Sequence, residues 1–204
     1  MFIRISKMFC GVRSMPDMER MDKHLLDLGG TYMLNHARRC LVIAKKLAEE
    51  ENLAYDEDIL AFSCYFHDIS AYKPYRPDGP FDHAEESAKI VPAIAEEYGI
   101  NDADKIRIIV EAVKYHDKRG QGTANETILV RNADAVDYLG FVAVARDFSK
   151  QPNEMTKAVA ALKKHLAGFS ALLELDSARR MAGPRIKKLE TFLHEFEQET
   201  FGLY

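Results

Sequence analysis

The chain of 204 residues is 47% hydrophobic and 29% charged, enough length and apolar content for one buried core and an ordinary balance for a globular fold. Its formal net charge of −4 gives no general attraction to nucleic acid or to an anionic membrane surface, so neither is an expected partner. No stretch approaches the ~20 consecutive apolar residues of a membrane span, and Cys10, Cys40 and Cys64 form neither a C-x-x-C pair nor a disulfide framework.

The first sixteen residues, MFIRISKMFCGVRSMP, have only short apolar runs broken by Arg4, Lys7 and Arg13, unlike a signal peptide. A reducing cytoplasm is the expected compartment, with Cys40 and Cys64 as buried thiols. Residues 32–50 read as a helix, with Cys40, Ile43, Ala44 and Leu47 at a period near 3.6 and His36 one turn before Cys40 on the same face. The next helix spans 56–67: Asp56 caps it, and Ile59, Leu60, Ser63, Cys64 and His67 follow at helical spacing. SAYKPYRPDGPFD, with three prolines and a glycine, is a long loop of the kind that often carries function.

Asp82 caps a helix that starts at His83 and puts Ala84, Ala88 and Val91 on one face. Pro92 is expected to end or kink it, with helix resuming to about Tyr98 and Gly99 as the stop. Asp102 opens a helix with Ile106, Ile109, Val110 and Val113 inward and His116 close to that face. KRGQGTAN is a turn. A helix from about Glu126 to Leu139 then carries Asp134 four residues after Val130; its ETILV stretch could pass for a strand, but NADAVDYL continues it better as helix. The last third is helical, broken at Pro152 and at Gly183-Pro184. The fold class is therefore all-α, a single domain over 1–204, with no internal repeat or linker.

Histidine on an apolar helix face is most often a hydrogen-bonded core residue, and His24, His165 and His194 are given no role. The others draw interest through joint placement. His36, His67 and His116 share inward stripes with aliphatic residues, His67 and His83 flank one loop, and Asp134 and Asp137 stand three apart on one helix. A carboxylate on an apolar face is costly unless it is paired or bound to a cation. Imidazole and carboxylate together suit Mn, Fe, Co, Ni or Zn.

Four segments in order, HARR, the pair His67-Asp68, HAEESA and NADAVDYLG, resemble the HD-domain metal-dependent phosphohydrolases, closest to a small bacterial branch, over about residues 30–140. The resemblance implies a helical bundle with its metal site between central helices; residues 141–204, which it does not cover, are expected to pack on that core. It implies that His36, His67, Asp68 and Asp134 hold a divalent cation (Mn, Mg, Co, Ni, Fe or Zn), and that the chain cleaves phosphate or pyrophosphate from a nucleotide or other small phosphate ester. Asp68, His83 and His116 would be the catalytic group. In two-metal relatives histidines placed like His83 and His116 complete a second site bridged by the aspartate; in single-metal relatives they line the pocket. The pocket role is the expectation, because Tyr115-His116-Asp117 stands where two-metal members often have more histidine.

Arg39, one turn after His36, is either a phosphate clamp or a salt-bridge partner of a buried acid such as Asp137. Lys73 and Arg76, interleaved with Tyr72 and Tyr75 in the loop, can steer a polyphosphate and stack a base, or belong to an ordinary exposed loop. Lys114, Lys118 and Arg119 cluster near His116 and can serve the same end. Glu86 either faces inward for acid–base work or stays solvated or supports His83. The chain departs from the family pattern at Ile69-Ser70 and at Asn132, which replaces the first aspartate of the D-A-D segment. Two rival readings remain: a di-iron oxygenase on the same fold, and a regulatory module that binds a nucleotide, against which the complete ligand set speaks. The C-terminal helices, with Leu162, Leu166, Phe169, Leu172 and Leu173, are expected either to cover the core or to form a homodimer face.

Overall fold

A computed structural model describes residues 17–203; the N-terminal stretch MFIRISKMFCGVRSMP, with Cys10, lies outside the described residues. The described residues form eight α-helices and no strand. The first, α1 (Met18–Glu51), is longer than the predicted 32–50. Asp17 caps it by accepting from the Arg20 N–H, and the added first turns bury Met21 and Leu25 before the path is interrupted at Gly30. Then come α2 (Glu57–Phe66), a 3-10 turn (Ile69–Ala71), α3 (His83–Glu97) and α4 (Ala103–Lys114). Asp56, Asp82 and Asp102 cap these three helices as predicted, each accepting from two first-turn N–H groups, an arrangement worth about 1 kcal/mol per cap. Helices α5 (Asn125–Asp137), α6 (Phe141–Lys150), α7 (Met155–Leu172) and α8 (Asp176–Glu199) complete the chain.

One proline reading is corrected: α8 runs through Gly183-Pro184, where a break was expected, while α3 continues through Pro92 to Glu97, so the proline does not end it. Proline removes one helical N–H in each case, but buried side chains on both sides hold the helix in place: Val91, Ile94 and Ala95 in α3, Ala178, Ala182 and Leu189 in α8. At Pro184 the carbonyl left unpaired belongs to exposed Arg180, where water can serve it.

Helix α5 is the centre of the fold. It packs against α1, α2, α4, α7 and α8, and nearly every residue from Glu126 to Asp137 is buried. A helix buried all round has no polar face, which explains why ETILV lacks amphipathic periodicity. Helices α6 to α8 lie over α5 and α1, with Leu162 and Leu173 buried and Leu166, Phe169 and Leu172 packed against the core. Among the described residues no helix is long and apolar enough to cross a membrane.

Two glycines shape the surroundings of the histidine cluster. A Cβ on Gly29 would lie 2.7 Å from the Tyr72 ring, so only glycine lets the loop after the 3-10 turn settle on α1. Gly140, at φ 87°, adopts the left-handed conformation that glycine tolerates and turns the chain from α5 into α6, which brings Arg146 back over Asp137.

Candidate metal centre

Helix ends deliver most of the site. His67 is the C-cap residue of α2 and Asp68 follows it; His83 is the first residue of α3; His116 lies just past α4. Asp134 and Asp137 occupy the last turn of α5, and His36 projects from the middle of α1. His36, His67, His116, Asp134 and Asp137 are all buried. The structure thus brings together every residue that the resemblance named as a ligand or catalytic group.

Asp68 divides them into two sets. Its Oδ2 lies 3.7 Å from His67 Nε2 and 4.0 Å from His36 Nε2, and Asp134 Oδ1 closes that set at 3.3 Å from His36 Nε2 and 3.7 Å from His67 Nε2. Its Oδ1 faces the other way, 3.5 Å from both His83 Nε2 and His116 Nε2. Within each set two imidazole Nε2 atoms approach to 3.2 Å, His36 to His67 and His83 to His116.

Their tautomers can be argued. His67 Nδ1 sits 3.0 Å from the Cys64 carbonyl and His116 Nδ1 2.7 Å from the Val113 carbonyl. A carbonyl only accepts, so Nδ1 carries the proton and a neutral ring turns an Nε2 lone pair into the site. His36 Nδ1 is 2.8 Å from Asp137 Oδ2, and the same reasoning frees its Nε2. Arg146 Nη1 stands 3.1 Å from that Nδ1 and shares Asp137 Oδ2 with it as acceptor. His36 and His67 then aim lone pairs at each other, an arrangement that repels unless a cation lies between them. Asp68 Oδ1 and Asp134 Oδ1 are buried with no hydrogen-bond partner, which is costly for carboxylate oxygens. Neutral imidazoles and orphaned carboxylate oxygens are the donor set a divalent cation takes, so the cluster fits a metal ion.

Protons partly fill that role in the bare protein. Burial pulls the basicity of His36, His67 and His116 down, but the surrounding aspartates outweigh it and raise all three. Burial likewise pushes Asp134 and Asp68 up, and the facing histidines more than reverse it, holding both carboxyls well below the usual carboxylate range.

Asp137 anchors the set from behind. Besides His36 it takes the Arg39 guanidinium on both oxygens, at 2.6 and 3.0 Å, and Arg146 on Oδ2 at 3.2 Å. Arg39 therefore adopts the salt-bridge arrangement of its two readings. Arg146 is a site residue that the sequence did not reveal, and it comes from the third of the chain that carried no motif. It is buried, donates to the hydroxyls of Tyr32 and Tyr138, and lies 3.7 Å from the Tyr138 ring centre. No local pattern marks it out. Arg131 was missed as well: fully buried, it donates to the Tyr115 carbonyl beside His116 and pairs with Glu174 at 2.6 Å. Asn132 accepts from the N–H groups of Glu174 and Leu175, so it ties the α7–α8 connection to α5 and does not face the cluster.

A cavity of about 900 Å³ opens onto Asp68 and His83 and is walled by Tyr32, Tyr72, Arg76, Tyr138 and Lys150. Of the cations singled out in the sequence, Arg76 alone lines it. Lys73 pairs with Asp78, Lys114 and Lys118 with Glu85, and Arg119 donates to the Ala171 carbonyl; the structure does not bring these four to the cavity wall. Glu86 pairs with Lys89 at the surface.

The HD domain family matches residues 33–139, more than half of the chain. No curated protein matches the chain. Among solved structures, an HD superfamily hydrolase of an uncultured Thermotogales bacterium is similar at 24% identity, with 81% of this chain and 79% of that one covered and a TM-score of 0.56. An HD-superfamily hydrolase of Bacillus thuringiensis is similar at 20% identity, 89% and 95% coverage and a TM-score of 0.66. Bacillus subtilis YpgQ, crystallised in complex with ADP, is similar at 19% identity, 89% and 93% coverage and a TM-score of 0.67.

Proposed function

The chain belongs to the HD domain family, and from that premise we propose that it is a metal-dependent phosphohydrolase releasing phosphate or pyrophosphate from a nucleotide or other small phosphate ester, with two divalent cations held on either side of Asp68. The observation that carries the reading is the division of Asp68: one oxygen faces His36 and His67, the other faces His83 and His116. This departs from the pocket role expected of His83 and His116, because both rings turn Nε2 toward the same carboxylate oxygen. His36, His67, Asp68 and Asp134 would hold one ion and Asp68, His83 and His116 the other. Bound there, divalent cations supply an acidified water and neutralise phosphoryl charge.

The chain's own residues do the rest. Asp137 and the Cys64 and Val113 carbonyls fix the imidazole tautomers, so Nε2 is presented without a proton. Arg76 and Lys150 give the cavity positive charge, and the Tyr72 ring offers a face for a base. The ADP bound to YpgQ supports a nucleotide as the substrate class. To test the reading, chelator-stripped protein is reloaded with Mn, Co or Mg and incubated with nucleoside mono-, di- and triphosphates. Release of phosphate or pyrophosphate, lost in Asp68→Ala, is expected; no release from any nucleotide with any of the three metals sinks the proposal.

The same placement of Asp68 between two histidine pairs favours a second reading, a di-iron oxygenase. Two irons per chain with a mixed-valence paramagnetic signal in protein isolated from cells would support it; a redox-silent metal content contradicts it.

A further inference from the structure

Arg146 sets the direction of two hydroxyl groups. Its Nε donates to Tyr32 Oη at 2.8 Å, and its Nη2 donates to Tyr138 Oη. Arginine has no acceptor, so each phenol must turn its own O–H away from the guanidinium. Among the described residues neither O–H meets an acceptor. Both tyrosines wall the cavity that holds Asp68 and His83. Lys150 stands over both rings, 5.5 Å from the Tyr32 centre and 5.8 Å from the Tyr138 centre. Ser149, the neighbouring hydroxyl, already donates to the Arg146 carbonyl. The wall thus presents two O–H donors and one ammonium, and behind them a buried guanidinium.

We propose that Tyr32, Tyr138 and Lys150 form a subsite for a phosphoryl oxygen of the substrate, with Arg146 as the positioning residue that aims the two hydroxyls. The choice of a phosphoryl group rests on the phosphohydrolase reading; the donor character of these three side chains rests on the geometry alone. A group rich in acceptors and free of donors matches it, and an anion suits the two cationic side chains.

The test is calorimetric titration of inorganic pyrophosphate into magnesium-loaded protein, with magnesium in excess in both solutions. Wild type is compared with Tyr32→Phe, Tyr138→Phe, the double variant and Lys150→Met. Phenylalanine keeps the stack of residue 138 on Phe169, whose ring centres are 4.3 Å apart, and the single variants keep the test intact should the double variant melt early. Each lost hydroxyl is expected to weaken pyrophosphate about 10-fold, and Lys150→Met to weaken it and flatten its salt dependence. No pyrophosphate binding by wild type, or single and double variants within about 2-fold of wild type, overturns the subsite. Because the readout is binding, tyrosine-dependent affinity without turnover of any nucleotide would leave the subsite standing and remove only the hydrolase reading; turnover with unchanged affinity in the variants would do the reverse.

Discussion

Asp137→Asn is the most revealing single substitution away from the proposed cation ligands. The carboxylate takes His36 Nδ1 at 2.8 Å, both arms of Arg39, and buried Arg146 at 3.2 Å. An amide has one acceptor oxygen for these partners, and its NH2 must face a donor or His36 Nδ1. Facing Nδ1, it favours the tautomer with the proton on Nε2, where the ring would otherwise present a lone pair. Loss of such a ligand-orienting carboxylate typically costs 10–100-fold in metal affinity. Stability falls too, because Arg146 keeps its charge in a buried place without a counter-charge on Asp137. Breaking a buried pair costs about 3–5 kcal/mol. The retained amide oxygen and the two tyrosine hydroxyls hold the loss near the lower figure, and about 3 kcal/mol in a protein of this size moves the melting temperature by about 6–12 °C. Cobalt titration followed by its visible spectrum, with chelator competition, measures the affinity, and calorimetry of the metal-free protein measures the melt. Unchanged cobalt affinity together with an unchanged melting temperature would refute the role given to Asp137.

Three further outcomes are expected. In metal-free protein the raised His36, His67 and His116 contribute stability that is complete below the ordinary histidine value of about 6.5 and is lost as pH rises through their folded values. The depressed Asp68, Asp134 and Asp137 contribute stability that is present above about 4 and is lost as pH falls. The site therefore supports the bare fold best between those limits, whereas metal binding must displace the histidine protons and strengthens with pH. The rise in melting temperature on adding manganese should grow from pH 5.5 to pH 8, and a rise that shrinks over that range contradicts the protonation states. Asn132→Ala leaves the Glu174 and Leu175 N–H groups without their acceptor, so about 1–3 kcal/mol of stability should be lost in chemical denaturation with metal content unchanged; lost metal would place Asn132 in the site after all. Asn132→Asp keeps an acceptor for both N–H groups and should melt closer to wild type than the alanine variant, an order that calorimetry can reverse.

Much of the site was legible because its residues sit where local signals are strong. Asp56, Asp82 and Asp102 announce helix starts by short-range capping; His83 stands at one such start, and His67 and His116 at the far ends of the other two helices. His36 and Asp134 could be phased against neighbouring apolar residues. Arg146 could not. On α6 it shares a buried face with Ala143, a pattern that a surface arginine with a buried stem also produces, and its partners Tyr32 and His36 lie more than a hundred positions away. The Gly183-Pro184 pair misled for a related reason: Pro184 obeys local propensity until packing on either side outweighs one lost hydrogen bond. The loop cations were singled out by proximity in sequence, yet Lys114, Lys118 and Arg119 find nearer acceptors in Glu85 and the Ala171 carbonyl.

The division of Asp68 between two histidine pairs is tested most directly by metal stoichiometry. Protein stripped with chelator, reloaded with manganese and desalted should hold two ions per chain by elemental analysis, falling to one in His116→Ala. One ion per chain in wild type, unchanged in His116→Ala, would contradict the two-cation centre.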